Sequence, residues 1–347
     1  MIRNISKPIF SGHESFVCKS HWLKRGYDFV NAGNNFNDDE AVVHLGVGKN
    51  MVASIRFWLK AFGLLQEDGL APIAGYIFDD ASGKDPYLED IGTLWLLHFM
   101  LINTEYATIY KTTFIEYHRQ RNIIEKSRLQ NYIKHTCFEG TQYKNLYNDN
   151  TVKRDVGVMF HNYCSKSNIN LEDSNCLLAP LNLINEAEKD SYIFNYDARS
   201  KVPSLIFLYA LLIRCKGQNS VSFDDIAELA LIFCLTNNDV IDLIKRLCLQ
   251  YPSEIVFSDV AGIKELQFKT SPAPIEVLTF PNAFLVAKIG TLVATITSRC
   301  LLSDEWFSTP LANLSYFHIF LVYIGGNFAL FLPIFVNTCK PLSTHVN

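Results

Sequence analysis

The residues best suited to chemistry near the start of the chain are His13 and Glu14, in the segment FSGHESF. An imidazole can act as a general base and a carboxylate can ligate a divalent metal, two roles that phosphodiester cleavage uses. Lys24 and Arg25 follow and could hold a phosphate group. We therefore treat His13 and Glu14 as candidate catalytic residues. The alternative is that an adjacent His-Glu pair before a helix provides a helix cap and an internal hydrogen bond.

No further metal or nucleotide site is indicated. His13 and His21 lack the spacing to a third ligand that a zinc site needs. The run GVGKN lacks the spacing of a phosphate-binding loop, and we find no nuclease signature in the chain. We therefore predict no resident metal, and expect a cofactor, Mg²⁺, only if the protein nicks DNA.

The segment Ala41–Leu65 is predicted to be the turn and second helix of a helix-turn-helix. Its apolar residues recur at intervals of three and four, the spacing of one face of an α-helix. These residues are Val52, Ile55, Leu59 and Phe62. Gly46 and Gly48 before them suit a tight turn, because glycine adopts positive φ at little cost.

A second stripe on the same predicted helix carries small and basic residues. It comprises Lys49, Ala53, Arg56 and Lys60, with Asn50 beside it. Such a stripe lets a helix approach phosphates closely. Together with Lys24 and Arg25, the polar members are candidate DNA-binding residues. The alternative is that the trihelical unit serves only packing or contact with a protein.

Composition limits the function classes. The 347 residues have room for two or three domains, and the formal net charge of −4 excludes a global basic field. Nine cysteines without a CxxC pair argue against a zinc ribbon or a disulfide framework. The start MIRNISKPIF has no apolar signal region. We therefore expect a cytoplasmic protein with reduced thiols.

The remaining chain is predicted to be mainly helical. Residues 8–82 would form an N-terminal winged helix, with the wing strands supplied by Leu70–Asp79. Residues 83–215 would form a central helical domain, in which the first half of Tyr87–Tyr110 is apolar nearly all round, as in a buried helix. Residues 216–280 repeat the order helix, turn, helix, hairpin.

This second winged-helix-like unit has its own amphipathic helices. One face holds Ile226, Leu229, Ala230 and Phe233, and the next helix begins near Thr236–Asp239. Its charges are mixed, so we expect it to serve packing or partner binding rather than DNA contact.

The C-terminal residues 281–347 differ from the rest. No charged residue occurs between Glu305 and Lys340, and Ser315–Val336 is long enough to span a bilayer. Three interpretations compete: a membrane anchor, a buried helical pair, and a non-native tail read through after a frame disruption. We favour the third, because the family similarity described next stops near residue 280.

Several segments together resemble one bacterial family. They are PIFSGHESF…WLKRGYD, GVGKNMVASIRFW, EDIGTLWLLHF…ATIYKTTF, KRDVGVMFHNY, EDSNCLLAPLNLI and FSDVAGIKELQFK. The chain resembles, over residues 8–280, the domain-of-unknown-function family numbered four thousand and seven, which includes the SspB-type proteins of DNA phosphorothioation and defence systems.

The resemblance implies a role in a DNA-modification or anti-phage defence system. In the SspB-type group it further implies a DNA nickase, acting on double-stranded DNA with a cysteine desulfurase, an ATPase and a sulfurtransferase resembling PAPS reductase. We expect a DNA-binding component of such a system. The alternatives are a non-catalytic adaptor that recruits modification enzymes and a winged-helix transcriptional regulator. The sequence does not indicate an oligomeric state.

Overall fold

The computed structural model describes residues 7–164, 176–197, 202–215, 217–260 and 263–279, with the strand pairs 323–324 and 327–328. The chain divides into two compact units, residues 1–279 and residues 280–347. The predicted boundaries at residues 82 and 215 fall inside the first unit and remain a prediction about its internal organisation.

The first unit is mainly helical with small antiparallel sheets, as the sequence predicted at that level. Its described α-helices are α1 (Ser20–Asn31), α2 (Ala41–Leu45), α3 (Lys49–Ala61), α4 (Pro72–Phe78), α5 (Ile91–Asn103), α6 (Thr108–Lys111), α7 (Lys126–Ile133), α8 (Asp149–Tyr163), α9 (Ser204–Cys215), α10 (Phe223–Ile232), α11 (Asn237–Gln250) and α12 (Pro274–Thr279). Its described strands are β1 (Leu65–Gln66), β2 (Gly69–Leu70), β3 (Ile123–Glu125), β4 (Ile184–Glu188), β5 (Ser191–Phe194), β6 (Ser220–Ser222), β7 (Ile255–Val260) and β8 (Ile263–Phe268).

The turn and helix predicted within Ala41–Leu65 are confirmed. Helix α2 ends at Gly46, whose φ of 56° lies in the left-handed region that favours glycine. Gly48 is extended and precedes the first residue of α3, Lys49. A short antiparallel hairpin follows, in which Leu65 pairs with Leu70.

The wing prediction for Leu70–Asp79 is wrong in its position. The strands are only β1 and β2, and most of the predicted stretch is helix α4. Pro72 occupies the first turn of that helix, where its fixed φ and missing N–H are tolerated. The buried residues Ile73, Ala74, Ile77 and Phe78 follow helical rather than alternating spacing.

Helix α5 lies at the centre of the core, and its prediction as a buried helix is confirmed. Every residue from Leu94 to Ile102 is buried. Asp90 caps the helix by accepting a hydrogen bond from the Gly92 N–H. Buried His98 bonds through Nδ1 with the Tyr163 hydroxyl, at 2.7 Å, and through Nε2 with the Ile232 carbonyl, at 2.8 Å. One side chain therefore connects α5 with α8 and α10.

The stretch after α6 belongs to the predicted helical domain, residues 83–215, but only part of it is helical. A π-helical turn, Thr112–Tyr117, extends α6. Strand β3 then joins a three-stranded antiparallel sheet in the order β3-β5-β4. Ile123 pairs there with Ile193 from much later in the chain, so the strand depends on a long-range contact that local patterning does not reveal.

The last part of the first unit follows the predicted order of helix, turn, helix and hairpin. The predicted apolar positions of α10 are buried, and so are Val240, Leu243, Ile244 and Leu247 of α11. Thr236 and Asp239 form a capping box at the start of α11. Strand β6, which the sequence pattern did not indicate, pairs with β8 and gives a sheet in the order β6-β8-β7.

In the second unit the described residues are two short antiparallel strands, β9 (Tyr323–Ile324) and β10 (Asn327–Phe328). Most of residues 281–347 lies outside the described residues, and so does the stretch on which the three interpretations of the tail depend. Within the described part of the chain, no helix combines the length and apolar character that a membrane crossing requires.

Candidate nucleic-acid interface

Helix α3 is held by the apolar stripe that the sequence predicted. Val52, Ile55, Leu59 and Phe62 are all buried. The helix packs closely on α1 because Gly26 has no side chain: a Cβ atom there would lie 2.6 Å from Leu59 Cδ1. Burial of each such side chain contributes roughly 1.5–3 kcal/mol to stability. The orientation of α3 is therefore fixed by packing on its inner face.

The opposite stripe of α3 faces outward. Lys49, Asn50 and Ala53 are exposed, whereas Arg56 and Lys60 are half-buried. The first turn of α3 contains no acidic residue, and no side chain caps it. Cationic side chains and uncapped backbone N–H groups at a helix start form a favourable environment for phosphate.

A groove of about 400 Å³ lies between α3, the β1–β2 hairpin and the loop that joins α1 to α2. Arg56 and Lys60 line it together, and Arg56 Nη1 donates a 2.7 Å hydrogen bond to Asn37 Oδ1. Side-chain amides also line the groove: Asn34, Asn35, Asn37 and Gln66. Arginine, asparagine and glutamine are the residues that read base edges most directly.

Acidic residues lie close to this groove. Glu67 lines it at the hairpin turn, and Asp68 follows as an exposed residue. A carboxylate at this position repels phosphate and reduces the local positive charge. The groove therefore combines two cationic side chains with at least one opposing charge.

Lys24 and Arg25 do not form the predicted pair. Lys24 Nζ donates hydrogen bonds to Asp28 and to Asp80, the latter at 2.7 Å. Burial opposes the charged form of Lys24, but these two hydrogen bonds outweigh it and raise the pKa of Lys24. The ammonium is thus already neutralised by two carboxylates. Arg25 is exposed instead and lies beside the turn at Gly46.

His13 is buried and both of its ring nitrogens face the protein. The Ser15 N–H donates to Nδ1, at 3.1 Å, so Nδ1 carries no proton. Nε2 lies 3.2 Å from Asp155 Oδ1, although it is not aligned as a hydrogen bond. The ring stacks on Trp58 and meets the edge of Phe57. This arrangement favours an anchoring role over the predicted general-base role, because a base must present a ring nitrogen to substrate.

Glu14, the neighbour of His13, is exposed. Its φ of 49°, with 68° at Ser11 and 69° at Ser15, lies in the left-handed region. Non-glycine residues persist there only when the surroundings impose it. Asp155 supplies that constraint, because its two carboxylate oxygens accept hydrogen bonds from the Ser11 N–H, at 3.0 and 2.9 Å.

Neither Asp155 nor the asparagines of the groove were among the residues predicted from the sequence pattern. Asp155 lies on α8, far along the chain, and Asn34, Asn35 and Asn37 lie in the loop between α1 and α2, outside the predicted DNA-binding stripe. Among the described residues, no three His, Cys, Asp or Glu side chains converge on a point where a metal ion could bind.

The comparisons with known proteins agree on the fold. Among solved structures, a magnesium ion-bound SspB crystal structure matches with a TM-score of 0.68 and 23% identity, over 79% of this chain and 87% of that one. An SspB crystal structure matches with a TM-score of 0.64 and 24% identity, again over 79% of this chain and 87% of that one. None of the curated proteins matches the sequence. The family model described as "Protein of unknown function (DUF4007)" matches residues 10–280, and the chain belongs to this family.

Proposed function

We propose that this protein is a DNA-binding component of a bacterial DNA phosphorothioate-modification or defence system. The observation that carries the DNA-binding part is the outward stripe of α3, with Lys49 and Asn50 at its start and Arg56 and Lys60 above the groove. The link to phosphorothioation is supported by the family and by the fold shared with SspB.

The N-terminal elements are consistent with a winged helix that binds through α3. Helices α1, α2 and α3, followed by the β1–β2 hairpin, have the order that this module needs, although the hairpin is short. In such modules the second helix of the helix-turn-helix lies in the major groove. On this interpretation Lys49 and Asn50 approach the backbone, while Arg56 and the groove amides approach base edges.

Fluorescence anisotropy with a labelled duplex tests DNA binding by the full chain. Replacing both Arg56 and Lys60 by alanine should weaken binding at least tenfold. The matched control replaces Lys144 and Arg246, both exposed and outside the groove, by alanine, which removes the same charge. Equal affinities for the two double variants would contradict the proposal. Affinity that depends on duplex sequence would instead favour the transcriptional regulator.

The defence role is tested separately in cells. Nuclease digestion of genomic DNA followed by mass spectrometry detects phosphorothioate-linked dinucleotides. Deletion of the gene should remove them, and the wild-type gene should restore them. Unchanged dinucleotide levels would argue against a component of the modification machinery, without affecting the DNA-binding test.

DNA nicking is the second candidate function, and the magnesium ion in one SspB structure favours it. The fit is incomplete, because the described side chains provide no group of three metal ligands, and Mg²⁺ would depend on one or two carboxylates with water and phosphate oxygens. Exposed Glu14 is the candidate ligand, and His13 would have to leave Asp155 to reach a phosphate. Open-circle formation from supercoiled plasmid, abolished by Glu14→Ala, would support nicking; binding without nicking would support the adaptor.

A further inference from the structure

A neutral side chain holds the guanidinium of Arg56 in the groove beside α3, here called the α3 groove. Arg56 Nη1 donates a 2.7 Å hydrogen bond to Asn37 Oδ1. Within the described part of the chain, no carboxylate pairs with Arg56. A guanidinium has more N–H donors than this one acceptor uses, and an amide does not neutralise its charge. Arg56 therefore keeps both its charge and further donors for a ligand in the groove.

The loop between α1 and α2 fixes the acceptor that holds Arg56. The Asn37 N–H donates to Asn35 Oδ1 at 2.9 Å, which forms a tight turn of the loop. Phe36, between these two residues, packs on Phe29 of α1 with the ring centroids 4.8 Å apart. A side chain that is already held in place loses less conformational entropy when it binds a ligand. The loop therefore pre-organises Arg56.

Three of the amide side chains that line the groove already make hydrogen bonds within the protein. Asn34 Nδ2 donates to the Phe29 carbonyl at 3.1 Å. The Oδ1 atoms of Asn35 and Asn37 accept the two hydrogen bonds described above. An amide that reads adenine uses both its acceptor and its donor. These three amides therefore support the loop rather than read adenine.

The charges of the groove favour a base edge over a phosphate as the ligand of Arg56. The carboxylate of Glu67 lines the same groove and repels phosphate, whereas a base carries no net charge. Arginine forms two parallel hydrogen bonds with O6 and N7 of guanine, the commonest specific contact in the major groove. Lys60, the other cation of the groove, is a flexible point charge that suits phosphate.

We infer that Arg56 binds a guanine of the duplex through its O6 and N7 atoms, and that Asn37 is the positioning residue that holds Arg56 for this contact. The inference rests on the proposed DNA binding by α3. One such contact changes affinity by about tenfold. This is far below the factor of about a thousand or more by which a regulator separates its operator from bulk DNA. The contact therefore suits a protein that acts at many short sites.

Guanine analogues test the contact on the full chain. The probe is a labelled pool of random duplexes of about 20 base pairs, prepared with guanine, with 7-deazaguanine or with hypoxanthine. 7-Deazaguanine lacks N7, whereas hypoxanthine keeps N7 and O6 and lacks only the minor-groove amino group. We expect the 7-deazaguanine pool to bind about fivefold more weakly than the guanine pool, and the hypoxanthine pool to bind like guanine. Equal affinity for the guanine and 7-deazaguanine pools, or a loss confined to hypoxanthine, would overturn the inference.

Variants separate the roles of the two residues. Arg56→Lys keeps the charge but cannot form both hydrogen bonds, so it should bind the guanine and 7-deazaguanine pools equally. Asn37→Ala, at an exposed position, should reduce the ratio of the two affinities to about twofold. Asn37→Asp retains an acceptor oxygen and should restore the ratio, while its negative charge weakens binding of both pools. A wild-type ratio in Asn37→Ala, or no restoration in Asn37→Asp, would overturn the positioning role.

Failure of this inference and failure of the proposed function give different results. In the first case, the wild-type protein binds the guanine and 7-deazaguanine pools equally, and the double variant Arg56→Ala, Lys60→Ala binds both more weakly. The α3 stripe then contacts phosphate alone, so DNA binding stands and the guanine contact is wrong. In the second case, the wild-type protein binds none of the pools, which overturns DNA binding and the guanine contact together.

Discussion

Nε2 of His13 lies 3.2 Å from Oδ1 of Asp155, and both side chains are almost completely buried. Asp155 also accepts two hydrogen bonds from the Ser11 N–H, so one carboxylate on α8 fixes both ends of the Ser11–His13 segment. The residue pair thereby joins the N-terminal loop to a helix from the middle of the chain. It holds Ser11, one of the three non-glycine residues of this loop with positive φ, directly in place.

The first prediction concerns this anchor. Asp155→Ala removes the buried acceptor for the Ser11 N–H and the carboxylate that lies beside His13 Nε2, and it should lower the free energy of unfolding by about 1–3 kcal/mol. Urea denaturation followed by circular dichroism measures the change. Glu14→Ala, an exposed neighbour in the same loop, is the control and should change stability by less than about 0.5 kcal/mol. Similar losses in both variants would contradict the anchoring role.

The second prediction concerns stability at acidic pH. Burial lowers the pKa of His98 to about 4, and the hydrogen bond that Nε2 donates to the Ile232 carbonyl opposes this shift only in part. Burial likewise lowers the pKa of His118 to about 4, opposed by the carbonyls of Leu231 and Phe114. The unfolded chain binds protons to both residues at higher pH than the folded chain does. Their contribution to stability is therefore complete above pH 6.5 and is lost as the pH falls towards 4.

The expected size of this effect is about 3 kcal/mol for each histidine over that interval. Urea denaturation at pH 7, 5.5 and 4.5 measures it. His98→Gln retains a polar side chain opposite Tyr163 but does not titrate, so its stability should fall less steeply with decreasing pH. The same slope in the variant and the wild type would exclude His98 as a source of the pH dependence.

The third prediction concerns the carboxylate beside the α3 groove. Glu67→Gln removes a negative charge while keeping a similar shape, and it should raise the affinity for duplex DNA about two- to fivefold at low salt, because it reduces repulsion of phosphate. The matched control is Asp242→Asn, which removes one negative charge from an exposed residue of α11, outside the α3 groove. It should leave the affinity for duplex DNA unchanged. An unchanged or weakened affinity in Glu67→Gln would place the DNA elsewhere.

The sequence predicted the helices whose apolar residues repeat regularly. The predicted apolar faces of α3 and α10 were correct because each helix carries its own periodicity. The predictions failed where structure depends on distant contacts. Strand β3 requires β5 to pair with it, and β6 requires β8. Leu70–Asp79 was mistaken for strands because a short apolar run does not distinguish a strand from a buried helix, whereas Pro72 in the first turn favours the helix.

The candidate site was predictable to a similar degree. The outward stripe of α3 follows from helical spacing alone. The environment of His13 does not, because Asp155 and Trp58 reach it only in the folded chain. Lys24 was predicted as a phosphate ligand, but Asp80, which neutralises it, comes from the segment after α4. Residue types near each other in sequence therefore indicated the chemistry that was possible, and distant residues determined which groups were available for it.

The salt dependence of DNA binding by the Arg56→Ala, Lys60→Ala double variant tests the central claim most directly. Each phosphate contact contributes about −0.9 to the slope of log K against log salt concentration. We predict that the wild-type slope is reduced by about 2 in the double variant if both side chains contact phosphate, and by about 1 if Arg56 contacts a base edge. The control lacking Lys144 and Arg246 should keep the wild-type slope. A wild-type slope in the double variant would contradict the assignment of the α3 stripe as the DNA-binding surface.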